Sequence, residues 1–112
     1  MSTGDFQRVN GFSNVYWGWG KEDDDLYQRV LLHNLTVTRP FQSQPFLAHQ
    51  MHYRSLYHPQ EEQNPKRGQL YEEWALRIHF DGLVDLSYRK LKMNLKPLYT
   101  HIIVDIQHQT KS

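Results

Sequence analysis

The chain has 112 residues, thirteen Lys and Arg against twelve Asp and Glu, a net charge of +1 and no cysteine. That length allows one modest core or part of a larger domain; the missing cysteines exclude disulfides and thiolate metal sites, and dispersed basic residues give no electrostatic case for nucleic acid. No apolar run approaches the roughly 20 residues that cross a bilayer, and residues 1–10 lack the apolar centre of a signal peptide.

In chain order, Ser2 to Asn10 predicts a short helix, with Ser2 or Thr3 as its cap and Asp5 in its first turn, running into a turn at Gly11. The segment Trp17-Gly18-Trp19-Gly20-Lys21-Glu22-Asp23-Asp24-Asp25 then reads as a loop entering a helix over about Asp24 to Asn34, with Leu26, Tyr27, Val30 and Leu31 as its apolar positions. Leu35-Thr36-Val37-Thr38-Arg39 alternates and is β-branched, which predicts a strand stopped by Pro40. Overlapping its start, Asn34-Leu35-Thr36 is an N-glycosylation triplet. Gln42 to Gln50 matches neither periodicity. Ser55 to Gly68, punctuated by Pro59 and Pro65, reads as a long exposed loop of the kind that often acts as a lid.

Leu70, Trp74 and Ile78 fall at i, i+4 and i+8, so a helix is expected from Gln69 to Phe80, ended by Asp81-Gly82. Leu83 to Leu91 and Leu98 to Ile106 are expected strands joined by Lys92 to Pro97, the second buried because Ile102, Ile103 and Val104 are consecutive. The fold class is α/β. With few aliphatics, burial is expected to rest as much on Trp17, Trp19, Trp74 and the seven tyrosines.

Residues 17–25 carry the chemistry. An indole offers a flat apolar face on which the C–H side of a sugar ring can lie, and glycines let a ligand approach the backbone. Four consecutive carboxylates crowd like charges, the condition that raises one pKa and makes a general base near neutrality. The competing reading is plainer: acidic residues cap a helix start and favour its dipole, behind a buried tryptophan pair.

The order of these residues separates the two. Trp-Gly-Trp-Gly-x-Glu-Asp-Asp-Asp, preceded by Asn10-Gly11-Phe12-Ser13-Asn14 and Tyr16, closely resembles the signature of the β-1,4-galactosyltransferase family. Arg39-Pro40, Met51, Asn64-Pro65-Lys66-Arg67, Asp81-Gly82-Leu83 and Pro97 to Ile106 resemble further landmarks, so the likeness runs from about residue 6 to 106 of a single unit, 1–112. It implies the C-terminal, acceptor-binding portion of a GT-A type catalytic domain. The nucleotide-binding half, with its Asp-x-Asp strand end, would precede Met1.

The resemblance implies an inverting transferase that moves galactose or N-acetylgalactosamine from a UDP-sugar to a GlcNAc-type acceptor on a glycoprotein or glycolipid. Asp23 is the implied catalytic base. Trp19, Gly20, Glu22, Asp24 and Tyr71 are the implied acceptor residues, and Trp17, Gly18, Trp19 and Lys21 the implied mobile loop, with Lys21 standing where relatives carry Gly. Gly68 and Tyr71 replace the apolar side chains that cover the acceptor's N-acetyl group. Manganese is the implied cofactor, held through Met51; Arg54 occupies the usual histidine position of Met-x-x-His, leaving His52 as the candidate beside it, with His49 and His58 nearby. The implied setting is the Golgi lumen, as part of a type II membrane protein whose anchor lies upstream. The alternative is a truncated, non-catalytic product or a sugar-binding pseudoenzyme.

Overall fold

Ser2 caps the first helix as expected: its Oγ accepts from the Asp5 N–H at 3.1 Å, and helix α1 runs Thr3–Arg8. The computed structural model describes residues 1–39 and 56–106. After α1 come α2 (Glu22–Leu32), α3 (Arg67–Glu72), α4 (Trp74–Arg77), a 3₁₀ turn (Leu83–Asp85), and strands β1 (Arg89–Leu95) and β2 (Thr100–Asp105). Helices and strands are thus mixed, in keeping with an α/β chain.

Helix α2 begins at Glu22, two residues before its expected start, so all four acidic residues lie in its first turn. Their negative charge meets the positive end of the helix dipole, which stabilises this early start. The helix ends at a left-handed Asn34 (φ 55°), whose N–H donates to Leu31 O while that of Leu35 donates to Val30 O. That closure is the Schellman pattern. It also consumes the first donor of the expected 35–39 strand, and no strand forms there, since no neighbouring strand is present among the described residues to complete a ladder.

The helix expected over 69–80 is two short ones. Arg77 Nη2 donates to Leu70 O at 2.7 Å, capturing the carbonyl that a continuous helix would offer to Trp74 N–H. Ile78 nevertheless becomes a core residue, with Val9 and Val30. The strands also shift: residues 83–85 form the 3₁₀ turn, β1 starts only at Arg89, and the connection is Lys96 to Tyr99, closed by Lys96 N–H to Tyr99 O at 2.9 Å. The antiparallel register pairs Arg89 with Asp105 and Leu95 with Thr100, with an irregularity between Lys90 and Lys92. β2 is not buried: Ile102 is 52% exposed and Val104 41%, because two strands alone make no second layer.

Nor is the tryptophan pair buried. Trp17 and Trp19 are 43% and 48% exposed, and Tyr57 is almost fully so. The interior is instead organised by charge. Arg29, wholly buried, donates through Nε to Asp25 Oδ1 at 2.6 Å and through Nη1 to Asp81 O at 2.7 Å, while its Nη2 lies 3.4 Å from Asp81 Oδ2. Arg77 bridges the same two carboxylates, at 3.3 Å to Asp25 and 3.4 Å to Asp81.

This network joins two landmarks some seventy positions apart. Asn14 N–H donates to Asp81 Oδ1 at 2.7 Å, Ser13 Oγ donates to Asp81 Oδ2, and Asn10 Nδ2 donates to Ile78 O at 2.9 Å. A Cβ on Gly82 would collide with Asn10 O, so only glycine permits the junction. The Asn10 to Asn14 and Asp81 to Leu83 motifs are therefore two sides of one joint. It fixes α2 in place.

Candidate functional site

The acidic start of α2 forms one wall of an open cleft of about 380 Å³, lined by Trp19, Gly20, Lys21, Glu22, Asp23, Asp24 and Arg67. Six consecutive residues line it because the chain turns through left-handed geometry just ahead of the helix: φ is 78° at Gly18, 115° at Gly20 and 77° at Lys21. The loop over residues 56–66 completes the turn. Trp19 N–H donates to Glu62 O at 2.8 Å, and Asn64 N–H donates to Trp19 O at 3.2 Å. With its backbone pinned on both sides, the Trp19 indole stays half in solvent, available as a platform.

Both glycines serve close approach. A Cβ on Gly18 would lie 2.8 Å from Glu62 O, the acceptor of the Trp19 bond, and one on Gly20 would lie 2.7 Å from Arg67 Cδ. Arg67 itself is anchored by the turn before α3, where its N–H and its Nη1 both donate to Asn64 O. A cation thus faces the carboxylates across the cleft.

The four carboxylates have separate fates. Asp25 is the buried partner of Arg29 and Arg77, and also accepts from Tyr16 OH at 3.0 Å. Asp24 pairs with Lys21 Nζ at 2.7 Å. Asp23 accepts the Asp24 N–H through Oδ1 at 2.9 Å and is otherwise exposed, as is Glu22. Two of the four charges are thus paired with cations, and the other two face solvent at the cleft. An exposed carboxylate aimed at a cleft, beside an aromatic face and a cation, can accept a proton from a bound hydroxyl.

Two further groups shape the electrostatics. Lys21 has its pKa raised, chiefly by the hydrogen bond to Asp24, and stays cationic. Its Nζ also sits 4.7 Å above the Tyr71 ring, whose hydroxyl accepts from Gln28 Nε2 at 3.0 Å. Tyr16 has its pKa raised first by burial and then by the Asp25 charge, so its phenol remains a donor.

Of the residues singled out in the sequence, Trp19, Gly20, Lys21, Glu22, Asp23 and Asp24 come together, and Tyr71 adjoins them through Lys21. Gly18 belongs to the turn, and neither it nor Trp17 lines the cleft. Met51 and His52, with Arg54, lie outside the described residues, and among the described residues no three His, Cys, Asp or Glu side chains gather as a metal site. Sequence reasoning gave Arg67 no role although it stood in a quoted motif. It also missed the buried pairing of Asp25 with Arg29 and of Arg77 with Asp81, two i, i+4 opposite-charge pairs that were the readable signal.

A second cavity of about 220 Å³, lined by residues that include Arg8, His33 and His79, lies by the other end of α2 and has no carboxylate. It offers no base.

The sequence model of a family described as the N-terminal domain of galactosyltransferase matches residues 1–59. β-1,4-Galactosyltransferase 2 of Cricetulus griseus is 38% identical over 109 residues, covering 95% of this chain and 28% of that protein. β-1,4-Galactosyltransferase 4 of the same species is 42% identical over 108 residues, covering 94% of this chain and 30% of its own length. Human β-1,4-galactosyltransferase 2 is 36% identical over 109 residues, with shares of 95% and 28%. The chain thus spans under a third of the length of these curated relatives.

Proposed function

The chain belongs to the galactosyltransferase family, and from that premise we propose that it is the acceptor-binding part of an inverting β-1,4-galactosyltransferase. The observation that carries the reading is the cleft that holds Trp19, Asp23 and Arg67 together. A pyranose stacked on the Trp19 indole leaves its hydroxyls facing the helix start, where Glu22 and Asp24 accept hydrogen bonds and Asp23 takes the proton of the attacking hydroxyl. The hydroxyl oxygen forms a bond to the anomeric carbon of UDP-galactose or UDP-N-acetylgalactosamine as the bond to UDP breaks. Attack from the face opposite UDP inverts the configuration.

The rest of a GT-A catalytic domain supplies the nucleotide site. In support, β1 and β2 leave Leu91, Met93, Ile102 and Val104 open to solvent, and such apolar strands need another layer. The order of the landmarks supports placement toward the C-terminal end of that domain. The same reading puts the whole protein in the Golgi lumen behind an upstream anchor; among the described residues no helix is long and apolar enough to cross a membrane. Manganese is the cofactor of this reading, and its candidate ligands Met51 and His52 lie outside the described residues. The acceptor is a GlcNAc-ended glycan. Gly68 and Tyr71 near the cleft make its N-acetyl pocket the place where preference departs from that of relatives.

This segment alone is expected to bind sugar without transferring it. Titrating it with N-acetylglucosamine should change tryptophan fluorescence, since Trp19 is half exposed at the cleft. No response at high millimolar sugar would contradict the acceptor reading. For the whole protein, transfer from a UDP-sugar to a GlcNAc-ended acceptor, with inversion seen by NMR, is the expected activity.

A further inference from the structure

We infer that Asn34 carries an N-linked glycan. The inference rests on the lumenal setting proposed above, and adds to it a modification site outside the cleft. Asn34-Leu35-Thr36 has the acceptor pattern, and both Asn34 and Thr36 are exposed. Asn34 sits just past the end of α2 in left-handed geometry (φ 55°), its backbone N–H held by Leu31 O. Asparagine tolerates that geometry with little strain, so the side chain points from a fixed, outward turn rather than from a packed surface. Among the described residues its amide group has no hydrogen-bond partner to surrender.

The reaction is a group transfer from a polyprenyl-diphosphate oligosaccharide. Asn34 Nδ2 forms a bond to the anomeric carbon, the bond from that carbon to the diphosphate oxygen breaks, the lipid diphosphate leaves with the electron pair, and the amide nitrogen releases one proton. The attachment point lies at the end of α2 away from the cleft. Helix α2 spans eleven residues between them, about 16 Å at 1.5 Å per residue. The glycan would shield the apolar surface at this end of α2, where Leu31 and Leu32 are 45% and 53% exposed.

The test uses the natural protein that contains this segment, purified from its own cells. Release with an amidase specific for N-glycans should convert residue 34 to aspartate, read by peptide mass spectrometry. Thr36→Ala should abolish the modification without disturbing the left-handed position, Thr36→Ser should keep it, and Asn34→Gly should abolish it while suiting the backbone. Protease protection in intact microsomes reports the compartment separately. A protected, lumenal protein with unmodified Asn34 overturns this inference alone, whereas a cytosolic protein overturns it together with the lumenal reading.

Discussion

Replacing Arg29 by Met should unsettle the acidic turn from beneath. The guanidinium is fully buried and makes two short charged hydrogen bonds, to Asp25 Oδ1 at 2.6 Å and Asp81 O at 2.7 Å. At about 1.5–3 kcal/mol for each bond involving a charged group, their loss amounts to roughly 3–6 kcal/mol. Breaking a buried pair by removing one partner costs about 3–5 kcal/mol by a separate route, so about 4 kcal/mol is expected. With an m value of about 1.5 kcal/mol/M, that lowers the urea midpoint by roughly 2.5 M. The assay is urea unfolding followed by tryptophan fluorescence and far-UV circular dichroism. Asp25→Asn combined with Arg29→Met should cost clearly less than the two single changes added, because each alone leaves a buried group without its partner. A loss below about 1 kcal/mol, or strict additivity of the pair, would refute the view that this ion pair anchors α2.

Three further outcomes follow from the geometry. Gly20→Ala places a side chain at φ 115° and 2.7 Å from Arg67 Cδ, so it should cost about 1–3 kcal/mol and weaken sugar binding by displacing Arg67; unchanged affinity in a fluorescence titration would remove Arg67 from the site. Lys21→Ala and Lys21→Gly both lose the Asp24 pair and the Tyr71 contact, but only glycine is at ease at φ 77°, so the Ala variant should be less stable by about 1 kcal/mol. Equal unfolding midpoints would deny the strain. Tyr16 has a raised pKa in the folded state, so its contribution is intact below the unfolded value of about 10 and declines as pH rises above it. Ultraviolet titration should show one phenol still protonated when the exposed tyrosines have ionised, and Tyr16→Phe should remove that difference.

The cleft was legible in the sequence because its residues are nearly contiguous. Six of the seven lining residues lie between Trp19 and Asp24, and a run that dense carries its chemistry in its order. Arg67 was hidden because only the pairing of Trp19 with the 62–64 backbone brings it across. The Ser2 cap and α1 followed from local rules, which depend on neighbours within one turn. Where the expectation failed, partners beyond one helical turn decided: Arg77 takes the Leu70 carbonyl and splits the helix, and the 35–39 stretch meets no strand among the described residues. Burial was misread most. A hydrophobic run such as Ile102 to Val104 signals a buried strand only when a second layer exists to cover it, while Asp25, Arg29 and Asp81, the most polar choices, are wholly or almost wholly buried.

The most direct test of the account is Asp23→Asn in the whole protein that contains this segment. The amide keeps the size of the carboxylate and can still bond to a sugar, but it cannot take a proton. Turnover with a UDP-sugar and a GlcNAc-ended acceptor should fall by about 10²–10⁴-fold, the range that general base catalysis supplies, while the acceptor KM changes little. The unfolding midpoint should hold, since Asp23 is exposed. Turnover close to that of the unaltered protein would contradict the assignment of Asp23 as the base.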